Sequence, residues 1–248
     1  MAIQKTEGFV LKTYDFRETS KIAFFYTKEF GKIKGILKGI RGDRKKFSTT
    51  LDLTTLNEII FYQSRNKDLH LISKCDLIRD FPSIRKSVKR IATSFALLEL
   101  TDNLTPLEEK NISIFELLRS SLDLLDKGLD TEKIWISFQI KAMKLAGFKP
   151  ELENCLVCGK GVNSNTYFSL NYGGLLCLEC REKDRNAKRL LRGTLASLLY
   201  IDKEDFKKLY SFNFTRRIKD ELQELLRRFI EYHSEIRIKS ERLLSVLR

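Results

Sequence analysis

The chain is poor in histidine, the side chain that most often serves as a general acid or base: its 248 residues include two. His70 lies in an alternating run and His233 near the end of a helical one. Neither has a nucleophile or a second metal ligand beside it in sequence, so both are read as packing or surface residues. No Gly-x-x-x-x-Gly-Lys-Ser/Thr loop and no Gly-x-Gly-x-x-Gly turn occurs, which removes two common devices for holding phosphates and dinucleotides. No apolar stretch approaches the eighteen residues of a membrane span, and the opening MAIQKTEGFVLK enters a strand pattern at once. A non-enzymatic, cytoplasmic protein is expected.

Acidic residues are also in deficit. Lys and Arg number 46 against 33 Asp and Glu, a formal net charge of +13 that attracts phosphate polymers and acidic proteins. Residues 31–46 hold Lys32, Lys34, Lys38, Arg41, Arg44, Lys45 and Lys46 against the single acid Asp43. A second cluster, Arg181, Arg185, Lys188, Arg189 and Arg192, comes late in the chain and is a second candidate for phosphate contact.

Over the first eighty residues five short alternating runs follow one another: EGFVLKTY, SKIAFFYT, GKIKGILKGI, DLTTLNEIIFYQ and DLHLISKCDLI. Gly31 marks one turn, the polar stretch RGDRKKFSTT a second break, and residues 64–68 another turn. Five strands in this length fit a small barrel of OB-fold type, whose open face and loops commonly hold oligonucleotides. In the third strand Lys32, Lys34 and Lys38 share a parity opposite Ile33 and Leu37, so one face is expected to be core and the other a cationic stripe. A solvated, aggregation-guarding edge is the plainer reading of such a stripe. Tyr14, Phe16, Tyr26 and Tyr62 are candidates for base stacking, though aromatics in strands more often fill cores.

After Pro82 the apolar period changes from two to about 3.6. Ile84, Val88, Ile91, Phe95 and Leu98 predict one helix face, residues 111–127 and 131–146 two further helices, and Gly128 and Gly147 their C-caps. Helix resumes over Leu190–Leu199, and one long amphipathic run from Ile218 to Ile236 is expected to close the chain. The fold class is thus α+β: residues 1–80 a five-stranded OB-fold barrel, residues 81–248 a helical domain with an inserted four-cysteine module at about 150–182.

Four of the five cysteines form that module. Cys155/Cys158 and Cys177/Cys180 are Cys-x-x-Cys pairs with eighteen residues between them, and NTYFSLNYGGLLC reads as a hairpin turning at Gly173-Gly174. Two such turns supply four thiolates to one tetrahedral ion, and a closed four-cysteine site is mostly structural zinc. A redox dithiol, a rubredoxin-like iron site and a disulfide framework remain as alternatives. A zinc deaminase would need a His ligand with a neighbouring Glu, and nothing of that form precedes Cys155. Cys75 lies apart, as an ordinary strand residue.

With barrel, helices and cysteines in place, the chain resembles the RecO family of bacterial recombination mediators. The resemblance is carried by GFVLKTYDFRETSKIAFFYTKEFGKIKGILKGIR, FALLELTDNLTPLEEKNISIFELLRSSLDLLDKG, FQIKAMKLAGFKPELENCLVCGK, YGGLLCLEC and EYHSEIRIKSERLL, in that order. It implies an OB-fold, a helical domain with a zinc module, and a nucleoid-associated protein that binds single- and double-stranded DNA and anneals complementary strands. The partners it implies are the acidic tail of the single-strand binding protein SSB, RecR and, indirectly, RecA. Relatives without the cysteines are known, which fits a structural metal, and Asp43 inside the basic loop departs from the family pattern. An RNA-binding or transcription-related protein would use the same parts, and a metal-dependent nuclease is a third class to separate by experiment.

Overall fold

The computed structural model describes residues 2–41, 51–63, 68–162, 165–206, 208 and 213–246. Two compact units divide it, one of residues 1–131 with 238–248 and one of residues 132–237.

The first unit begins with five strands: β1 (Ala2–Phe16), β2 (Ser20–Thr27), β3 (Gly31–Leu37), β4 (Leu56–Gln63) and β5 (His70–Arg79). β1 is long enough to serve two neighbours, pairing antiparallel through its first half with β4 and through its second with β2. The order β1-β2-β3-β5-β4 therefore closes on itself, the last seam being a short parallel pairing of Gly35 with His70 and Ile36 with Leu71. Alternation sends Val10, Ala23, Phe25, Ile33, Leu37, Ile59, Phe61, Ile72 and Cys75 inward as one core cluster. Gly35 belongs at the seam because a Cβ there would stand 2.4 Å from the Ile72 side chain.

A bulge between Val10 and Lys12 lets β1 bury consecutive residues on both faces. Phe9 thereby turns away from the barrel core and meets Phe115, ring centroids 5.3 Å apart. Phe115 belongs to α2 (Ile112–Asp126), which follows α1 (Val88–Leu104); Asn111 caps α2 by accepting a hydrogen bond from the Ile114 N–H. Gly128 and Gly147 take positive φ, as C-cap glycines do.

The predicted face of α1 holds in part: Ile84 and Leu98 are buried and Ile91 and Phe95 half-buried, but Val88 is exposed, and Ala92, Ala96, Leu97, Leu100 and Leu104 are buried as well because this helix is covered on more than one side. Part of the cover comes from α6 (Lys239–Val246), whose first N–H groups donate to the Glu99 carboxylate. The chain therefore does not close on one continuous run. The preceding helix stops at Ser234, and Glu235 takes a left-handed conformation (φ 56°) that breaks it.

In the second unit, α3 (Thr131–Leu145) buries the single tryptophan, Trp135. A small sheet follows, β6 (Thr166–Ser169), β7 (Gly174–Cys177) and β8 (Lys188–Arg189), in the order β7-β6-β8. Then come α4 (Arg192–Lys203) and α5 (Arg216–Ser234), with Phe168 of β6 set edge-on to Phe229 of α5 at 5.8 Å. Buried Asp202 near the end of α4 receives the ammonium groups of Lys144 and Lys149, each at 2.9 Å. Burial alone would raise its carboxyl pKa; the two lysines outweigh that and hold it below the usual range.

Candidate functional site

The candidate metal site is built from two turns. After Cys155 the chain turns back, the Gly159 N–H donating to the Cys155 carbonyl and the Cys155 N–H to that of Lys160. After Cys177 the Cys180 N–H donates to the Cys177 carbonyl in the same manner. The β6–β7 hairpin joins these turns, and the Leu156 N–H, by donating to the Leu175 carbonyl, ties the first turn to the second strand. Gly173 occupies the turn at φ 79°, whereas Gly174 is already in β7. Its missing side chain has a different use there: a Cβ would stand 2.5 Å from the Glu151 carbonyl oxygen.

All four sulfurs lie within 4.8 Å of one another, with Cys155 buried and Cys158 exposed. An ion bound at the usual zinc–sulfur distance of about 2.3 Å puts tetrahedral corners about 3.8 Å apart. Cys158 and Cys177 stand 3.8 Å apart. None of the five cysteines is in a disulfide, and Cys75 sits in the barrel core, remote in sequence from the cluster.

The thiols titrate unevenly. Burial opposes ionisation of Cys155, yet hydrogen bonds from backbone groups at Cys177, Cys158 and Val157 draw it down to about 6. Burial, then thiol contacts with Cys177, Cys158 and Cys155, push Cys180 up to about 12. Four negative sulfurs cannot be held so close without compensation, and a divalent cation supplies it. The donor set fits zinc: Cys155, Cys158, Cys177 and Cys180 would hold it with no open position, so that it would fix the two turns together.

The basic residues predicted on the barrel do not share one setting. Lys34 and Lys38 have no acidic partner among the described residues; Lys34 lies 5.6 Å from the Phe24 ring centroid. Arg41 is exposed and 3.6 Å from Asp15. Lys32, by contrast, is drawn against α1, its ammonium on the Asp102 carbonyl at 2.6 Å and the Asp102 carboxylate at 3.2 Å. Arg44, Lys45 and Lys46 lie outside the described residues. Lys12 was missed in sequence; it shares Asp102 at 2.5 Å and stands over Phe24 at 4.5 Å. Its signal was the parity it shares with Tyr14. Of the other aromatics named, Tyr26 is buried with its hydroxyl on the Asn111 carbonyl, and Phe16 lies under Arg17.

His70 is buried, stacked on Phe61 and 3.0 Å from the Glu108 carboxylate. His233 stacks on Phe229 at 4.4 Å.

The second basic cluster is spread over four kinds of structure. Arg181 opens a short 3-10 turn and donates to the Tyr167 hydroxyl, and Arg185 is exposed in the following loop. Lys188 and Arg189 form β8, and Arg192 begins α4. Lys188, Arg189 and Arg228 rim a groove whose apolar walls include Phe168, Leu190 and Leu225, and Arg192 and Arg217 extend the rim. Its acids are engaged: Glu224 pairs with Lys188 at 2.8 Å, and Glu221 accepts from the Leu191 N–H and the Thr194 hydroxyl, capping α4.

Two family models match the chain in order, recombination protein O N terminal over residues 1–81 and recombination protein O C terminal over residues 85–242. The chain is 32% identical to the DNA repair protein RecO of Syntrophus aciditrophicus, covering 98% of this chain and 95% of that one. It is 30% identical to the protein of the same name from Thermoanaerobacter sp. (97% and 96%) and 31% identical to that from Caldicellulosiruptor saccharolyticus (93% of each).

Proposed function

The chain belongs to the recombination protein O family, and from that premise we propose that it is a DNA-binding recombination mediator of DNA repair. The observation that carries this reading is the pair of family models spanning residues 1–81 and 85–242 in order. Residues 1–80, as an OB-fold domain, bind single- and double-stranded DNA through Lys34, Lys38, Arg41, Arg44, Lys45 and Lys46, while Lys32 braces the barrel. Phosphate contacts carry no sequence information, so any gap can be engaged. Residues 81–248 form the helical domain, with zinc at Cys155, Cys158, Cys177 and Cys180 as a structural ion. The protein works in the bacterial cytoplasm at the nucleoid, with RecR, to assist RecA loading on SSB-coated DNA, and it acts by binding, without a chemical step of its own.

Annealing separates this reading from its rivals. Two complementary oligonucleotides should pair faster in the presence of the protein, without ATP, and should remain uncut when Mg²⁺ or Mn²⁺ is added. An RNA-binding or transcription-related protein would leave the DNA annealing rate unchanged, and a nuclease would shorten the strands.

The groove beside β8 supports a site for the SSB tail. An acidic peptide with a hydrophobic end needs cations around an apolar floor, and Lys188, Arg189 and Arg228 stand around Phe168 and Leu225. Arg189→Glu with Arg228→Glu should lower affinity for a tail peptide at least tenfold. Equal affinity for intact and tail-deleted SSB would refute the partner itself. Arg181, Arg185, Lys188, Arg189 and Arg192 as a second DNA surface compete with this assignment, and DNA affinity of the same variant decides between them.

A further inference from the structure

The outer face of β1, β2 and β3 carries an arrangement that phosphate binding does not require. Lys12, Phe24 and Lys34 are register partners across the three strands, and the next outward row is Tyr14, Ile22 and Ile36. Both ammonium groups lie over the Phe24 ring, at 4.5 and 5.6 Å from its centroid. Tyr14 meets the same ring at 84° and 6.2 Å, and is 54% exposed. Phe24 is thus held in place by a cation on either side, and it steadies a tyrosine whose ring remains open to solvent.

A solvent-facing aromatic fixed on a rigid strand loses little freedom when a second ring stacks on it. Nucleic-acid bases supply such rings, and every base has a π-face, so stacking of this kind tolerates any sequence. Only an unpaired strand can present that face, because in a duplex the base faces are covered by their neighbours and only the edges are open. Lys34, 5.6 Å from the Phe24 ring centroid, and Lys38, in the turn that follows β3, have no acidic partner among the described residues and are available to the phosphates of the same strand.

We propose that Tyr14, braced by Phe24 between Lys12 and Lys34, is a base-stacking platform that gives this barrel face its preference for single-stranded over duplex DNA. The inference rests on the DNA-binding reading above and adds to it: lysines alone would hold both forms through their phosphates, and the tyrosine is what distinguishes them.

The test uses the full chain, a labelled oligothymidine and a labelled duplex, with affinities measured over a range of salt concentrations. Tyr14→Ala should weaken oligothymidine binding roughly tenfold, leave the slope of log K against log salt unchanged because no phosphate contact is lost, and leave duplex affinity within about twofold. Tyr14→Trp should keep or strengthen the single-strand affinity. Lys34→Ala should weaken both forms and flatten both slopes. If Tyr14→Ala lowers both affinities equally, or neither, the stacking assignment is wrong while DNA binding stands. If the unaltered protein binds neither probe, the DNA-binding reading itself fails. Tighter binding of the matching oligoribonucleotide, with the same dependence on Tyr14, would assign the platform to RNA instead and overturn the proposal.

Discussion

The Cys155→Ser/Cys177→Ser double variant should purify without its metal and with residues 150–182 open to protease. The effect should be large because the two turns have little else to hold them. The connecting hairpin has only four residues in each strand, and Cys158 and Leu178 face solvent. Structural zinc contributes about 10–16 kcal/mol of apparent binding free energy in peptides whose folding depends on it. Even a fraction of this exceeds the several kcal/mol by which a domain is usually stable. Loss of the metal should also free Phe168 from Phe229 and so loosen α5, lowering the unfolding temperature of the second unit, with Trp135 emission as the reporter. Cys75→Ser, in the barrel core, should leave metal content unchanged. One equivalent of zinc per unaltered chain is the expected analysis, and iron in its place would reassign the ion. A full metal complement in the double variant would sink the site.

The second large effect is on DNA. Lys34→Ala, Lys38→Ala and Arg41→Ala together should weaken binding to every sequence alike and reduce the slope of log K against log salt by about two to three. Each neutralised phosphate releases condensed counterions, contributing roughly 0.7 to the slope for a single strand and 0.9 for duplex. The structure sharpens this by supplying a control. Lys32 lies on the same strand face, yet its ammonium is committed to Asp102, so Lys32→Ala should lower stability and barely change the slope. Loss of affinity and slope in an Arg185, Lys188 and Arg189 variant, with the barrel variant unaffected, would move the DNA path to the second unit.

Much of the fold was legible because it is local. Alternation marked all five barrel strands, a 3.6 period marked α2 and α3, and Gly128 and Gly147 took the positive φ that their positions implied. Cys-x-x-Cys spacing located the four cysteines that the fold brings together, since two residues are enough to turn a chain and aim two sulfurs at one point. What periodicity could not supply was cover. The α1 face was read only in part because a helix packed on several sides has no single stripe to find, and α6 was merged with α5 because a left-handed Glu235 has no reliable sequence signal.

Charge shows the division most clearly. Parity placed Lys32, Lys34 and Lys38 away from the core; Lys32 and Lys34 do avoid it on β3, whereas β3 ends at Leu37 and Lys38 is exposed in the turn that follows. Yet facing away from the core is a property of the strand, whereas facing solvent depends on what the chain brings there later. Asp102, seventy residues on, takes Lys32 out of the stripe and adds Lys12 to the same cluster. Glu224, thirty-six residues beyond Lys188, pairs with it beside the groove of the second cluster. Sequence thus determined the strands, the four-cysteine cluster and the sign of the charge. The tertiary structure decided which cations are spent inside the protein, because an ion pair forms wherever folding sets opposite charges within a few ångströms, whatever their distance along the chain.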